Sequence, residues 1–250
     1  MAMIGDRPLL WHVMRYYAHY GHTDFVLCLG YGASAVKDFF LNYDETRSND
    51  FVLENGAKNV RLFNTDIADW RITFVDTGLH STIGERLRRV RRFVASEDMF
   101  MANYADVLTD APLPDVIARF QASDAAATLL AVPLQSSHHV VDVADNGLIT
   151  KVTPVRELLQ WENGGYFILR QEIFDHLHQN EDLVEDALVR LIKLEKAIAY
   201  PYKGYWSPAD TVKERAQLEE MYHRGRCPWM VWDLERSGQG AAGDGTLAAG

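Results

Sequence analysis

The sequence predicts an α/β fold with a mostly parallel central sheet flanked by helices and a small antiparallel element toward the C terminus. Two observations carry this expectation. Through the first half of the chain, apolar runs of strand length alternate with amphipathic runs of helix length, the pattern of βα units around a parallel sheet. Beyond Ser123 the runs shorten and become β-rich, with Asp145-Asn146-Gly147 turning the chain between two of them, which reads as an antiparallel addition.

The elements follow in order. Pro8 stands just inside an apolar-periodic stretch of Leu9, Leu10, Val13, Met14 and Tyr17 that Gly21 ends, the proline-first, glycine-last signature of a helix. The run Phe25-Val26-Leu27-Cys28-Leu29, closed by Gly30-Tyr31-Gly32, predicts a buried strand and a turn, and residues 33–42 the next helix. A strand at 71–75, a helix at 82–93, a strand at 99–103 and a helix at 114–123 continue the alternation. Shorter strands are expected at 126–133, 140–143, 148–153 and 166–169, then helices at 172–178 and 183–194, a strand at 197–202 and a last helix at 211–222. These elements form one domain over residues 1–236; the Gly- and Ala-rich residues 237–250 are too poor in apolar bulk to pack and are expected to be a disordered tail.

Composition narrows the function. A chain of 250 residues with 48% hydrophobic content can bury a sizeable core. A net charge of -10 argues against a nucleic-acid partner, which calls for a basic face. No apolar stretch reaches the roughly 18 residues of a membrane span, and no basic-then-apolar signal peptide opens the chain. Cys28 and Cys227 have neither metal-ligand spacing nor the numbers for a disulfide framework, which fits a reducing cytoplasm.

The sharpest local feature is Asn103-Tyr104-Ala105-Asp106, with an aspartate just past a buried strand. Ligands of open α/β sheets bind outside the carboxyl ends of the strands. A carboxylate there, beside the small Ala105, is placed to hold Mg²⁺ against a triphosphate, since Mg²⁺ takes one or two carboxylates with phosphate oxygens and water. The competing reading is that Asp106 caps the following turn. Asp210, in Trp206-Ser207-Pro208-Ala209-Asp210-Thr211, directly precedes the last helix and reads either as a second ligand or as its N-cap. Asn163-Gly164-Gly165 leads into a strand, and its glycines either admit a sugar close to the backbone or make a plain turn. Of Arg86, Arg88, Arg89, Arg91 and Arg92, only Arg86, in the first turn after Gly84, is expected to lean toward a phosphate. His138 and His139 are adjacent on a strand and point to opposite faces, so they do not converge on one metal. The chain contains no P-loop, H-E-x-x-H or G-x-S-x-G motif.

In chain order stand Ile4-Gly5-Asp6-Arg7-Pro8-Leu9-Leu10-Trp11-His12-Val13-Met14, Gly30-Tyr31, Val75-Asp76-Thr77-Gly78, Gly84-Glu85-Arg86-Leu87, Tyr104-Ala105-Asp106, Asn163-Gly164-Gly165-Tyr166-Phe167, Trp206-Ser207-Pro208-Ala209-Asp210-Thr211 and Cys227-Pro228-Trp229. This series resembles the sugar-1-phosphate nucleotidyltransferase family, and its order is that of glucose-1-phosphate cytidylyltransferases. The resemblance runs from Met1 to about Trp232. It implies a Rossmann-like nucleotidyltransferase fold and transfer of a nucleotidyl group from a nucleoside triphosphate to a sugar 1-phosphate, with CTP and glucose 1-phosphate as the substrates, in nucleotide-sugar and polysaccharide synthesis. It further implies that Asp106 and Asp210 hold Mg²⁺, that Thr77, Gly84, Arg86 and Ala105 line the nucleotide pocket, that Asn163 and Gly164 meet the sugar, and that the chain forms a homo-oligomer.

Departures from the family's pattern are equally specific. The family opens with a strand, a glycine-rich loop ending in Gly-Thr-Arg and a Lys-Pro-Lys-Pro segment, and this sequence begins where that segment ends. The resemblance therefore implies a missing first strand, an N-terminally shortened form without the loop's catalytic Arg and Lys, weak triphosphate binding and incomplete packing. Val152-Thr153-Pro154 stands where Glu-Lys-Pro precedes the sugar site. Lys151, about 6 to 7 Å from Thr153 on the same strand face, is the residue expected to compensate. Glu85 replaces the second glycine of Gly-Gly-Arg, a change expected to alter nucleotide preference. Two other functions stand beside transfer: a non-catalytic binding or regulatory homologue, and a nucleotide-sugar glycosyltransferase.

Overall fold

The computed structural model describes residues 1–135 and 138–233, except the side chain of Arg156. The boundary at residue 236 and the expected tail at 237–250 lie outside the described residues. Strands β1 (Met3–Ile4) and β2 (Arg7–Pro8) form a short antiparallel ribbon leading into α1 (Leu9–His19). Pro8 is extended at φ -69° and ψ 151°, so it precedes the helix as its N-cap, and Gly21 turns the chain out at φ 87°. Seven of the eleven helical residues are buried, from Leu9 to Tyr17. The helix is therefore interior: the C-terminal Trp229 and Trp232 pack in the same cluster as Trp11 and Tyr17.

The next strand, β3 (Asp24–Leu29), leads through α2 (Ala33–Leu41) and a hairpin of β4 (Phe51–Glu54) and β5 (Asn59–Leu62) to β6 (Arg71–Asp76). β3 and β6 pair in parallel from Asp24 opposite Arg71 to Leu29 opposite Asp76. The hairpin was not foreseen, because its apolar residues Phe51, Leu53 and Val60 remain exposed and no buried face imposes alternation. Helix α3 (Ile83–Val94) then crosses to β7 (Met99–Asn103), followed by β8 (Val107–Thr109) and α4 (Leu113–Gln121).

The larger sheet gathers β7 with β9 (Ala127–Pro133), β12 (Trp161–Arg170) and β13 (Ala197–Pro201), after the exposed hairpin of β10 (His139–Val143) and β11 (Ile149–Pro154). Its order is β13-β9-β12-β7, with β12 antiparallel to both neighbours and β13 parallel to β9. The strands of the expected α/β sheet thus pair in two pieces, one parallel and one mixed. Among the described residues the outer edges of β3 and β7 carry no strand partner. The expected turn before a strand at 166–169 is also corrected. Asn163-Gly164-Gly165 lies inside β12, where the register shifts between Asn163 and Phe167 and Gly165 takes φ 75°. Glycine's left-handed conformation bends the strand without ending it.

Of the late helices, 172–178 shortens to a 3₁₀ turn at Gln171–Asp175. The span 183–194 becomes a wide turn at Leu183–Leu188 and α5 (Val189–Lys193), with Ala187 N bonded five residues back to the Asp182 carbonyl. β14 (Trp206–Pro208) pairs antiparallel with β8, and α6 (Val212–His223) closes the fold. No helix of the described residues is long and apolar enough to cross a membrane.

One core group makes stability depend on pH. His12 is 2% exposed; its Nε2 meets the Ile4 carbonyl at 3.1 Å and its Nδ1 accepts from the Trp229 indole at 3.4 Å. Burial, only partly offset by the Ile4 carbonyl, lowers its pKa from 6.5 to about 4. Between those values the unfolded chain binds the extra proton, so stability rises with pH and is lost on acidification. The expected loss is about 3 kcal/mol. Urea unfolding of wild type and His12→Gln at pH 7 and 4.5 checks it: the variant should lose less stability over this interval, and equal losses would clear His12.

Candidate active site

Two aspartates far apart in sequence meet because β8 and β14 pair. Pro208 lies opposite Val107, and Ala209 N donates to the Asp106 carbonyl at 2.8 Å, so Asp106 and Asp210 flank one backbone bridge. The structure separates both from their structural alternatives. The N-cap of α6 is Thr211, whose Oγ1 accepts from Glu214 N at 3.1 Å in a reciprocal capping box. Asp210 is thereby left exposed and free of that duty. Asp106 is also exposed, and no hydrogen bond joins its carboxylate to another described residue. The protein mass around Asp106, and then the like charge of Asp210, raise its pKa above the ordinary 3.8. Among the described residues no group of three or more His, Cys, Asp or Glu is arranged to hold a metal ion, His138 and His139 included. Two carboxylates leave most of a metal's coordination sphere to phosphate and water, as Mg²⁺ requires.

Beside them lies the sugar candidate. Tyr104 N donates to the Gly165 carbonyl at 2.9 Å, and the Tyr104 hydroxyl accepts from Asn163 Nδ2 at 3.3 Å. Asn163 Oδ1 accepts from Gly165 N at 2.9 Å, so both ends of the amide are held. A Cβ on Gly164 would lie 3.0 Å from the Leu130 carbonyl and 3.2 Å from Trp206 Nε1, and one on Gly165 would lie 2.8 Å from the Tyr104 ring. Gly164 is buried, so its missing side chain serves packing, which corrects the expectation that it opens space for a sugar. Trp206 Nε1 donates to the Gly164 carbonyl at 2.9 Å and ties this bulge to β14, the strand that leads to Asp210. Sequence reasoning missed Tyr104 and Trp206 as positioning groups, although both stand within the quoted motifs.

A third group forms at the carboxyl ends of β3 and β6. Thr77 is wholly buried; its hydroxyl donates to the Leu29 carbonyl at 2.9 Å and accepts from Arg86 Nη1 at 2.7 Å. Arg86 lies over Gly30, where an added Cβ would meet its Nη2 at 2.7 Å. Thr77 thus holds Arg86 and does not line an open pocket, a correction that burial dictates. Gly84 is corrected in the same way: a Cβ there would meet the Glu181 carbonyl at 2.4 Å, so it packs α3 against residues 180–182. Arg89, read as solvated, donates to the Thr77 carbonyl at 2.9 Å and to Glu85 at 3.1 Å. Glu85 also accepts from Asn180 N at 3.3 Å, the leading cause of its lowered pKa. Its carboxylate is occupied at the start of α3, away from the role in nucleotide choice expected of it. Residues 180–182 join the groups, since Thr82 Oγ1 donates to the Glu181 carbonyl at 2.6 Å and the charge of Asp182 reaches Tyr104.

Ala105 is exposed in the turn before Asp106. Lys151 is exposed opposite Asp142 on the β10–β11 hairpin, and no hydrogen bond or ion pair joins it to the aspartates.

This fold, with paired carboxylates beyond its strand ends, is the Rossmann-like α/β fold of the nucleotidyltransferases. Among solved structures, it resembles UDP-glucose pyrophosphorylase complexed with UDP-glucose at TM-score 0.64 and 18% identity, covering 90% of each chain. HddC from Yersinia pseudotuberculosis aligns at TM-score 0.61 and 15% identity, over 89% of this chain and 88% of that one. No family model matches the sequence. The chain is 30% identical over 234 residues to a probable glucose-1-phosphate cytidylyltransferase of Bacillus subtilis, covering 93% of this chain and 91% of the relative. It is 28% identical, with the same coverage, to glucose-1-phosphate cytidylyltransferase of Salmonella typhimurium. The chain belongs to the glucose-1-phosphate cytidylyltransferase family of sugar-1-phosphate nucleotidyltransferases.

Proposed function

We propose that the protein transfers a cytidylyl group from CTP to glucose 1-phosphate, giving CDP-glucose and pyrophosphate for nucleotide-sugar and polysaccharide synthesis. The observation that supports this most directly is the backbone bridge from Ala209 to Asp106, which brings Asp106 and Asp210 together beside the held Asn163 amide. The two carboxylates repel, and a dication bound between them relieves that repulsion. Mg²⁺ bound by Asp106 and Asp210 would supply neutralising charge for the nucleotide and sugar phosphates.

The sugar phosphate oxygen attacks the α-phosphorus in line; the new P–O bond forms as the bond to the β-phosphate oxygen breaks and pyrophosphate leaves. Such transfer is mostly positioning and charge stabilisation. Arg86, fixed by Thr77 over Gly30, presents a guanidinium to the nucleotide side, where Ala105 keeps the approach clear. Asn163 binds sugar hydroxyls, and Lys151 on its exposed hairpin carries a cation toward the sugar phosphate. The setting is the cytoplasm, where Cys28 and Cys227 stay free thiols, each pushed by burial up to about 11.

The test is Mg²⁺-dependent pyrophosphate release from CTP and glucose 1-phosphate, with UTP and GTP as alternatives. Release fastest with CTP supports the proposal. Binding without turnover would assign a regulatory protein, and CDP-glucose consumption without pyrophosphate a glycosyltransferase. In the active enzyme, Lys151→Ala is expected to raise KM for glucose 1-phosphate more than KM for CTP. Equal effects on both would remove Lys151 from the sugar site.

A further inference from the structure

A cavity lies at the end of α6 away from Asp210. Asp210 precedes the first turn of this helix, whereas Tyr222 in its last turn lines a cavity of about 910 Å³. A helix of this length separates the two by roughly 18 Å. The cavity opens between the ribbon before α1, residues 46–51 and the C-terminal Trp232.

Arg7 forms part of its wall and is 4% exposed. All its hydrogen bonds run through Nη2, to the Asp44 carbonyl at 3.0 Å, to Asp66 at 3.1 Å and to the Ser48 hydroxyl. Nη1 makes none among the described residues, whereas Nε is buried out of a ligand's reach. Guanidinium nitrogens only donate. Polar groups in such surroundings are ordinarily paired, so Nη1 is the nitrogen left to meet an acceptor oxygen from the cavity.

The remaining lining indicates what carries that oxygen. Arg15 and Arg47 stand among Asp6, Asp50 and Asp233, so the walls hold both signs and an anion gains little net attraction. A hydroxyl suits both, accepting from a guanidinium and donating to a carboxylate. Phe51 and Phe63, 42% and 59% exposed, add aromatic surface on which the C–H face of a sugar ring can rest.

We propose that this cavity is a binding site for a neutral, hydroxyl-rich ligand of the saccharide class, separate from the aspartate pair. One ligand hydroxyl accepts from Arg7 Nη1, others donate to the carboxylates opposite, and Phe63 covers the ring.

Titration of the purified chain with D-glucose, sucrose and inorganic phosphate, followed by saturation-transfer NMR and tryptophan fluorescence, tests the site. A saturable saccharide response is expected, weakened roughly threefold or more in Phe63→Ser and in Arg47→Ala. Both side chains are exposed, and circular dichroism checks that the variants keep the fold. The response should be unchanged in Asn163→Ala and in the presence of MgCTP. No saturable saccharide response, a response to phosphate alone, or a response lost in Asn163→Ala would each overturn the assignment, the last by placing the sugar at the catalytic site.

Discussion

Asp106→Asn and Asp210→Asn are each expected to lower Mg²⁺-dependent pyrophosphate release by about 100-fold or more, with unfolding midpoints close to wild type. Neither carboxylate is needed by the fold. Asp210 is relieved of capping by Thr211, and no hydrogen bond joins the Asp106 side chain to another described residue. Removing one negative charge relieves the repulsion that, after burial, raises the Asp106 pKa, so stability should hold or rise while metal-dependent turnover falls. If the pair holds one ion as proposed, the double variant should lose little more than either single one. Wild-type turnover in both single variants would remove the metal assignment, and parallel loss of stability would assign the pair a structural role.

The largest effect on stability is expected from Arg7→Ala. Arg7 and Asp66 pair at 3.1 Å with side chains 4% and 12% exposed, and deleting the guanidinium leaves a covered carboxylate without its countercharge. Such a change costs about 3 kcal/mol or more. Burial pushes the Asp66 pKa up, but bonds from Ser48, Asn49 and Tyr43 with the charge of Arg7 outweigh it, and the net shift is below the ordinary 3.8. A depressed carboxyl pKa stabilises the fold above the unfolded value and ceases to do so as pH falls through the folded one. Urea unfolding should therefore show wild type and Arg7→Ala far apart at pH 7 and converging in acid. A double-mutant cycle with Asp66→Ala should give coupling above about 1 kcal/mol; strict additivity would show that the pair contributes nothing as a pair.

Legibility differed between fold and site for physical reasons. Apolar runs such as Phe25 to Leu29 and the 3.6-residue periodicity from Leu9 to Tyr17 announced β3 and α1; α1 buries its face, whereas the expected buried strand β3 is only half-buried, with Leu29 alone fully covered. The β4–β5 hairpin was missed because it buries too little to leave a pattern. The bulge in β12 was missed because two glycines read as a turn until both flanking strands are known to pair across them.

The sequence by itself determined the family, through the order of its short motifs from Ile4-Gly5 to Cys227-Pro228-Trp229, and named Asp106, Asp210 and Asn163 as the residues to weigh. It also determined that any phosphate must be held locally, since a net charge of -10 provides no broad basic surface. Only the tertiary structure decided which candidates are left exposed and which are built into the packing. Thr77 and Gly84 turned inward because the Leu29 and Glu181 carbonyls fill the space around them, while Asp106 and Asp210 stayed free because other groups took their structural duties. The reason is one of range: a motif records which side chains are present, whereas burial and hydrogen-bond partners depend on segments roughly a hundred residues apart in sequence meeting in space.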